Sequence, residues 1–243
     1  MIEFQDVHLY YSGHEVLKGI SMQIPDKRMT AILGPSGSGK STIIKVMLGL
    51  IQPTFGRVLV DGVDISSLSE EELFPIRKKM GIVFQGNALF DSMTVSENMA
   101  FFLRENLRLP EEEIARRVNE QLHFAGLEAH AHHLPDSLSG GMRKRVAIGR
   151  ALIFEPDMVL FDEPTAGLDP VSANKILAFI KRLKNEKELG AVIVTHIIND
   201  VFSIADDVLV LYHGAIVYHD TPENMQHSEH PFVQSYLSEP EEW

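Results

Sequence analysis

The feature that most constrains the fold of this chain is a glycine-rich motif, G-x-x-x-x-G-K-S, at residues 34–41. It follows the short apolar run Met29 to Leu33 and precedes a helical pattern from Lys40 to Leu50. Such a loop turns successive backbone N–H groups toward phosphate oxygens, and the helix N-terminus adds the positive end of its dipole. Motif and context together predict a P-loop nucleotide-binding site on an α/β fold.

The predicted ATP-binding residues of this segment are Gly34, Pro35, Ser36, Gly37, Ser38, Gly39, Lys40, Ser41 and Thr42. Lys40 is expected to reach the β- and γ-phosphates of ATP, and Ser41 is expected to ligate Mg²⁺. The alternative is an ordinary Gly/Ser turn between a strand and a helix. That alternative does not explain why the full motif and its structural context agree.

A second predicted strand, Met158 to Phe161, ends in two carboxylates, Asp162 and Glu163. A buried strand would deliver Asp162 to the Mg²⁺ on the Ser41 side of the site. Glu163 can take a proton from an attacking water, which makes it the candidate catalytic base. The alternative is a strand end with solvated acids before the turn at Pro164. We favour the catalytic interpretation because the pair lies downstream of a phosphate loop.

The segment Leu138 to Met142, of sequence LSGGM, comes immediately before a predicted helix. Ser139, Gly140 and Gly141 would expose backbone N–H groups at the positive end of that helix dipole. This second γ-phosphate clamp lies about a hundred residues after the first. One chain does not need two segments that bind the γ-phosphate, so we expect the second to bind the ATP held by another chain.

With these motifs in this order, the chain resembles the ATPase subunits of ABC transporters over essentially its whole length. The resemblance implies that Gln85 is the Q-loop glutamine at the Mg²⁺ and water site, a catalytic position. It also implies that Asp169 lies in the D-loop at the dimer interface and that His196 is the switch histidine contacting the γ-phosphate. Tyr11 lies where the family stacks an aromatic ring on adenine. Tyr10 is the alternative, because strand alternation lets only one of them face the ring.

Two positions depart from the family pattern. Met142 stands where most members have glutamine, and Ile197 follows His196 where many members have aspartate. Neither change removes a phosphate ligand. Because Glu163 is present, we expect the site to be catalytically competent.

The resemblance implies one ABC ATPase domain over residues 1–243, an α/β P-loop NTPase fold with an inserted α-helical subdomain. The predicted core covers 1–86 and 157–225, with a helical subdomain at about 87–156 and a short C-terminal helical tail at 226–243. Predicted strands and helices alternate in the core, which favours a mostly parallel central sheet. We also expect antiparallel β segments in this fold.

The amino-acid composition limits the functions that this chain can have. A net charge of −12 gives a surface that repels nucleic acid and anionic lipid, so we expect no nucleic-acid partner and membrane contact only through another protein. The absence of cysteine excludes disulfides and thiolate metal sites. The N-terminus lacks signal-peptide features, and apolar stretches such as Val208 to Tyr218 are too short to span a bilayer. The last residues, Glu239 to Trp243, are expected to be frayed.

Three further clusters allow alternative interpretations. His130, His132 and His133 are expected to form a solvated loop rather than a metal site, because no other ligand recurs nearby at helical spacing. The basic run Arg143 to Arg145 either faces a partner surface or forms a solvated face. The apolar residues Leu89, Phe90 and Met93 form a docking groove for a membrane subunit, or they fold onto the helical subdomain.

The stretch from Arg77 to Glu105, together with Met142, resembles the ATPases of Mla/Mce-type lipid transporters. This resemblance implies a homodimer around two ATP at the cytoplasmic face of the inner membrane. The homodimer would drive an integral membrane permease, with a Mce-type substrate-binding protein in the wider complex. The principal alternative is the ATPase of a polar amino-acid importer, which shares every catalytic motif. A soluble ABC ATPase unlinked to transport is less consistent, because the chain lacks a second cassette, coiled-coil arms and cysteines.

Overall fold

The computed structural model describes residues 1–238. Its strands are β1 (Ile2–Tyr11), β2 (His14–Ile24), β3 (Met29–Leu33), β4 (Phe55–Val60), β5 (Val63–Asp64), β6 (Met80–Val83), β7 (Met158–Asp162), β8 (Gly190–Thr195), β9 (Asp207–Tyr212) and β10 (Ala215–Asp220). Its α-helices are α1 (Lys40–Met47), α2 (Glu70–Arg77), α3 (Val95–Asn106), α4 (Glu111–Ala125), α5 (Gly140–Leu152), α6 (Pro170–Lys187), α7 (Ile198–Ile204), α8 (Pro222–Met225) and α9 (Pro231–Ser238). The expected fraying of Glu239 to Trp243 falls outside the described residues. In the described part of the chain, no helix is long and apolar enough to cross a membrane.

The central sheet has six strands in the order β10-β9-β3-β8-β7-β6, and all neighbours except β10 and β9 run parallel. Strands β3 and β8 are buried along their whole length, as expected for parallel strands covered on both faces. A second sheet is antiparallel, with the order β2-β1-β4-β5. The predicted fold class, a mostly parallel sheet with antiparallel segments and inserted helices, is confirmed.

The inserted helices α3, α4 and α5 pack on one another and share a hydrophobic core with the parallel sheet. A capping box fixes the start of α3, in which Thr94 accepts from the Glu97 N–H while Glu97 accepts from the Thr94 N–H. Pro110 followed by three glutamates predicts a helix start, and α4 begins there, with an acidic first turn that suits the helix dipole. Gly126, at φ +62°, ends α4 in the left-handed conformation.

Several element boundaries differ from the sequence-based expectations. Helix α1 ends at Met47 rather than Leu50, because Gly49 has a left-handed backbone with φ +64°. The sequence predicts a strand only over Gly19 to Ile24, whereas β2 begins at His14 because its first half also pairs with β1. Helix α2 was not predicted, although Ser69 and Glu72 form a capping box readable from the sequence.

Candidate active site

In the loop after β3, the backbone packs so closely against neighbouring atoms that glycine is required. A Cβ on Gly34 would lie 2.2 Å from the carbonyl oxygen of Leu211 and 2.9 Å from Ser38 Oγ, so no larger residue fits there. Gly39 has φ +109° and precedes α1 without any side-chain cap bond. The first N–H groups of α1 are therefore left without a capping side chain, as an anion-binding helix N-terminus requires.

Lys40 is buried beneath this loop. Its Nζ donates to the carbonyl oxygens of Gly34 at 2.7 Å and Pro35 at 3.0 Å, and lies 3.6 Å from Glu163 Oε1. Burial lowers the pKa of the Lys40 ammonium, while the carboxylates of Glu163 and Asp162 oppose that shift. The structure thus holds a lysine charge inside the phosphate loop, beside the candidate base.

Ser41 and Asp162 meet where α1 begins and β7 ends, because Ser41 Oγ donates to Asp162 Oδ1 at 2.9 Å. Burial and the neighbouring Glu163 raise the pKa of the Asp162 carboxyl, while the Ser41 hydrogen bond opposes the shift. A hydroxyl, a carboxylate and the nearby Gln85 amide are all oxygen donors, which suit Mg²⁺. No group of three or more His, Cys, Asp or Glu within residues 1–238 could hold a metal ion. The donor set fits an ion that is partly ligated by phosphate.

Glu163 has an unusual backbone conformation, with φ +48°. Non-glycine residues rarely adopt it, and such conformations cluster at functional sites. The side chain is buried, and its Oε2 lies 3.0 Å from Nδ1 of His196. The two residues meet because β7 and β8 are parallel neighbours whose carboxyl ends coincide, with Asp162 opposite Val194.

These side chains open onto one cleft at the carboxyl ends of the parallel strands, where ligands of open α/β sheets bind. The cleft has a volume of about 290 Å³. Its lining consists of Val16, Ser36, Gly37, Gly39, Lys40, Ser41, Thr42, Gln85, Glu163 and His196. The structure therefore brings together the predicted phosphate loop, Q-loop glutamine, candidate base and switch histidine. Val16, from β2, is a lining residue that the sequence analysis missed.

The two candidate adenine-stacking residues lie at the end of β1, and neither lines this cleft. Tyr10 packs edge-on against Phe55, with ring centroids 6.4 Å apart, and its backbone N–H donates to Thr54. Tyr11 is 67% exposed, against 45% for Tyr10. The less engaged ring is that of Tyr11, and the choice between the two stays a prediction.

The predicted signature residues lie outside the cleft. Ser139 caps α5 by accepting from the Met142 N–H at 3.3 Å. A Cβ on Gly140 would lie 3.1 Å from Leu168, beside the predicted D-loop residue Asp169. Asp169 in turn caps α6 by accepting from two backbone N–H groups at 3.0 Å. The signature and the D-loop thus form a second group, separate from the phosphate cleft of the same chain.

The side chains of the basic run in α5 are not freely solvated, because all three bind carbonyls of their own chain. Whether part of the run faces a partner stays a prediction. Lys144 is only 2% exposed, and its Nζ donates to the carbonyl oxygens of Phe84 at 3.3 Å and Gln85 at 3.0 Å. Arg143 binds the Leu138 carbonyl, and Arg145 binds that of Ala125. Burial lowers the pKa of the Lys144 ammonium to about 8.

A second cation of α5, Arg150, holds the same segment. It donates to the carbonyls of Asn87 at 2.9 Å and Ala88 at 2.7 Å, both of which have positive φ. The contacts of Lys144 and Arg150 with the segment around Gln85 were not predicted from the sequence. A signal existed, because Lys144 shares the i, i+3, i+4, i+7 spacing of the apolar face of α5.

The segment that follows Gln85 divides into buried and exposed parts. Leu89 packs against the core of the helical subdomain, which supports the folding-back alternative for that residue. Met93 is half-buried. Phe90 keeps 40% of its surface exposed, although its ring lies 4.5 Å from that of Phe101.

Comparison with known proteins identifies the family of the chain. The sequence profile described as ABC transporter matches residues 17–166. The intermembrane phospholipid transport system ATP-binding protein MlaF of Haemophilus influenzae is 37% identical over 237 residues, covering 98% of this chain and 90% of that protein. The chloroplastic protein TRIGALACTOSYLDIACYLGLYCEROL 3 of Arabidopsis thaliana is 38% identical over 255 residues, covering 98% of this chain and 73% of that protein.

Among solved structures, the fold resembles the dimeric post-hydrolysis state of the ATP-binding cassette MJ0796 bound to ADP and Pi. The TM-score is 0.83 at 35% identity, covering 91% of this chain and 99% of that chain. The predicted phosphate loop, Gln85, Glu163 and His196 line one cleft, and Asp162 is hydrogen-bonded to Ser41 of that lining. The chain belongs to the ABC transporter family, and it is an ATPase of that family.

Proposed function

We propose that this ATPase powers a lipid transporter, in which two copies of the chain close around two ATP and drive an integral membrane permease. The observation that carries this proposal is the similarity to a protein named for phospholipid transport, 37% identical over 98% of this chain. In this proposal a Mce-type substrate-binding protein belongs to the wider complex. The chain works at the cytoplasmic face of the inner membrane, held there by the permease.

The proposed closure of two chains around ATP is based on the distance, within one chain, between the phosphate cleft and the signature residues. ATP would lie between the phosphate loop of one chain and Ser139, Gly140 and Gly141 of the other. Asp169, beside the signature, would lie at the interface between the chains. The γ-phosphate contacts both halves only in the closed dimer, so ATP binds that state more tightly than the open one. This difference in affinity supplies the free energy that moves the permease.

The roles of the cleft residues follow from their positions. Glu163 would accept a proton from the attacking water, while His196 holds the carboxylate and contacts the γ-phosphate. Lys40 would exchange its loop carbonyls for the phosphate oxygens and neutralise their charge. Ser41, Asp162 and Gln85 would hold Mg²⁺, which when bound neutralises charge on the transferred phosphoryl group.

We place the permease contact at Phe90, an exposed aromatic residue in the segment that the α5 cations hold. Phe90→Asp should abolish co-purification with the permease, while the isolated subunit still folds and binds ATP. Phe74→Asp is the matched control, because Phe74 is also 40% exposed but lies on α2. Recovery of the Phe90→Asp complex at the wild-type yield would contradict this placement.

The lipid assignment is tested in cells. Disrupting the gene should change the distribution of envelope lipids and increase detergent sensitivity. The wild-type gene should restore both properties, whereas the Glu163→Gln gene should not. Loss of polar amino-acid uptake with an unchanged envelope would assign the chain to the alternative importer instead.

A further inference from the structure

Helix α9 places a tyrosine directly behind the switch histidine. Tyr236 is only 1% exposed and is among the largest fully buried side chains of the described residues. Its hydroxyl donates to the backbone carbonyl oxygen of His196 at 3.0 Å. The two residues are 40 positions apart in the chain, so tertiary packing alone creates this contact.

The packing of α9 explains why the contact is well defined. Tyr236 and Val233 share a hydrophobic cluster with Leu33, the last residue of β3, and with Val201 of α7. Leu33 pairs with Thr195, the residue before His196. Helix α9 therefore supports the sheet at the point where both the phosphate loop and the switch histidine leave it.

The backbone around His196 is held by two other hydrogen bonds besides that from Tyr236. The His196 N–H donates to Glu163 Oε2 at 3.4 Å, and the Ile197 N–H donates to Thr195 Oγ1 at 3.0 Å. Tyr236 adds the contact to the His196 carbonyl oxygen, from α9. His196 lies between the end of β8 and Ile197, the N-cap residue of α7, which makes no side-chain cap bond. The His196 side chain is 45% exposed, and its Nδ1 contacts Glu163. The imidazole and the N–H of His196 thus both contact Glu163 in the cleft, while Tyr236 of α9 holds the His196 carbonyl oxygen.

The hydroxyl of Tyr236 is suited to a permanent donor role. Burial raises its pKa to about 12, with a further contribution from the charge of Glu163, so it stays protonated at neutral pH. A phenylalanine would fill the same apolar space. The oxygen is therefore explained by the hydrogen bond it makes and not by packing.

We propose that Tyr236 is a positioning residue for ATP hydrolysis, which fixes the backbone of His196 so that its imidazole meets Glu163 and the γ-phosphate. This inference rests on the proposed role of His196 at the γ-phosphate. It also gives the C-terminal helix a function within its own chain, as a support of the catalytic cleft.

The test compares steady-state ATP hydrolysis by wild-type and Tyr236→Phe protein in excess Mg²⁺. Loss of one buried hydrogen bond should lower kcat about fivefold to tenfold. The KM for ATP and the affinity for ADP should stay within about twofold, because ADP lacks the γ-phosphate. The melting temperature should fall by less than about 4 °C.

Two further variants make the result decisive. Tyr212→Phe removes a hydroxyl from a ring that also packs beside α9, 3.7 Å from the Phe232 ring, and its kcat should match wild type within about twofold. His196→Ala should abolish turnover. If Tyr236→Phe keeps the wild-type kcat while His196→Ala is inactive, the positioning role of Tyr236 alone is overturned. The same holds if Tyr236→Phe shows a larger fall in melting temperature together with a raised KM. Wild-type kcat in His196→Ala would overturn the proposed role of His196 itself.

Discussion

At the scale of single residues, the cleft combines groups whose charges oppose their burial. Lys40 is 6% exposed and Glu163 is 7% exposed, and the two lie 3.6 Å apart. Burial lowers the pKa of the Lys40 ammonium, and the nearby Glu163 carboxylate opposes that shift. The carbonyl oxygens of Gly34 and Pro35 also accept hydrogen bonds from the buried ammonium.

The adenine contact gives a prediction at this scale. Tyr11→Ala should raise the KM for ATP about fivefold to tenfold and leave kcat nearly unchanged, because stacking is felt equally in the ground and transition states. Tyr10→Ala is the matched comparison, since Tyr10 lies beside it and is held by Phe55. Steady-state kinetics would reverse the assignment if only Tyr10→Ala raised the KM.

Lys144 gives a second prediction. Lys144→Met removes the ammonium that binds the carbonyls of Phe84 and Gln85, so kcat should fall about fivefold as Gln85 loses its support. Lys175→Met, at an exposed position of α6, is the control and should keep wild-type kcat. Equal kcat values for the two variants would remove Lys144 from the support of the Q-loop.

The same residue predicts a pH effect on stability. The folded pKa of Lys144 is about 8, below its ordinary value of 10.5, so the unfolded chain binds more protons between these two values. The free energy of unfolding of wild type, relative to Lys144→Met, should therefore rise with pH in that interval and stay constant below it. Denaturant titrations at about pH 7.5 and about pH 9.5 should differ by about 1–2 kcal/mol in this comparison. An unchanged difference would contradict the burial of the charge.

At the scale of elements, α5, the helix that follows the signature residues, makes a close backbone contact with strand β6 of the central sheet. A Cβ on Gly81 of β6 would lie 2.6 Å from the Ala151 carbonyl oxygen of α5. Gly81→Ala should therefore destabilise the fold by about 1–3 kcal/mol, measured by denaturant unfolding. Gly86→Ala is the control, because nothing lies within 4 Å of its added Cβ. Equal unfolding free energies for the two variants would mean that α5 can move away from β6 at little cost.

Elements differed in how well the sequence predicted them. Strands β3 and β8 were predictable because they are continuous apolar runs bounded by motif residues. The first half of β2 was not, because it mixes polar and apolar residues, buries only Leu17 fully, and becomes a strand through pairing with β1. Helix α2 contains Pro75 and buries only Leu73, so its apolar periodicity is weak.

The candidate site shows the same division. The phosphate loop and the pair Asp162 and Glu163 were predictable, since local sequence fixes both the strand and the loop that carries the chemistry. The supports of the site were not, because Lys144 and Tyr236 act on carbonyls that lie 59 and 40 positions away. A backbone carbonyl carries no sequence signal, so only the folded structure identifies such partners.

At the scale of the whole molecule, the phosphate cleft and the signature occupy separate surfaces of one chain. In the proposed function a complete ATP site needs a second copy of the chain, and the proposed catalytic base, Glu163, offers a way to observe it. Glu163→Gln should slow hydrolysis about 10²- to 10⁴-fold while ATP still binds, because the amide cannot accept the proton. The closed dimer should then accumulate with ATP bound.

Sizing of Glu163→Gln in saturating Mg²⁺ and ATP is the most direct measurement of this shared site. The species should have twice the 27.3 kDa chain mass with ATP and the single-chain mass with ADP. Adding Ser139→Arg to the same variant should prevent the ATP-dependent dimer, because it blocks the signature contact from the other chain. A single-chain mass with saturating ATP, or a dimer that forms equally with ADP or despite Ser139→Arg, would contradict an ATP site shared between two chains.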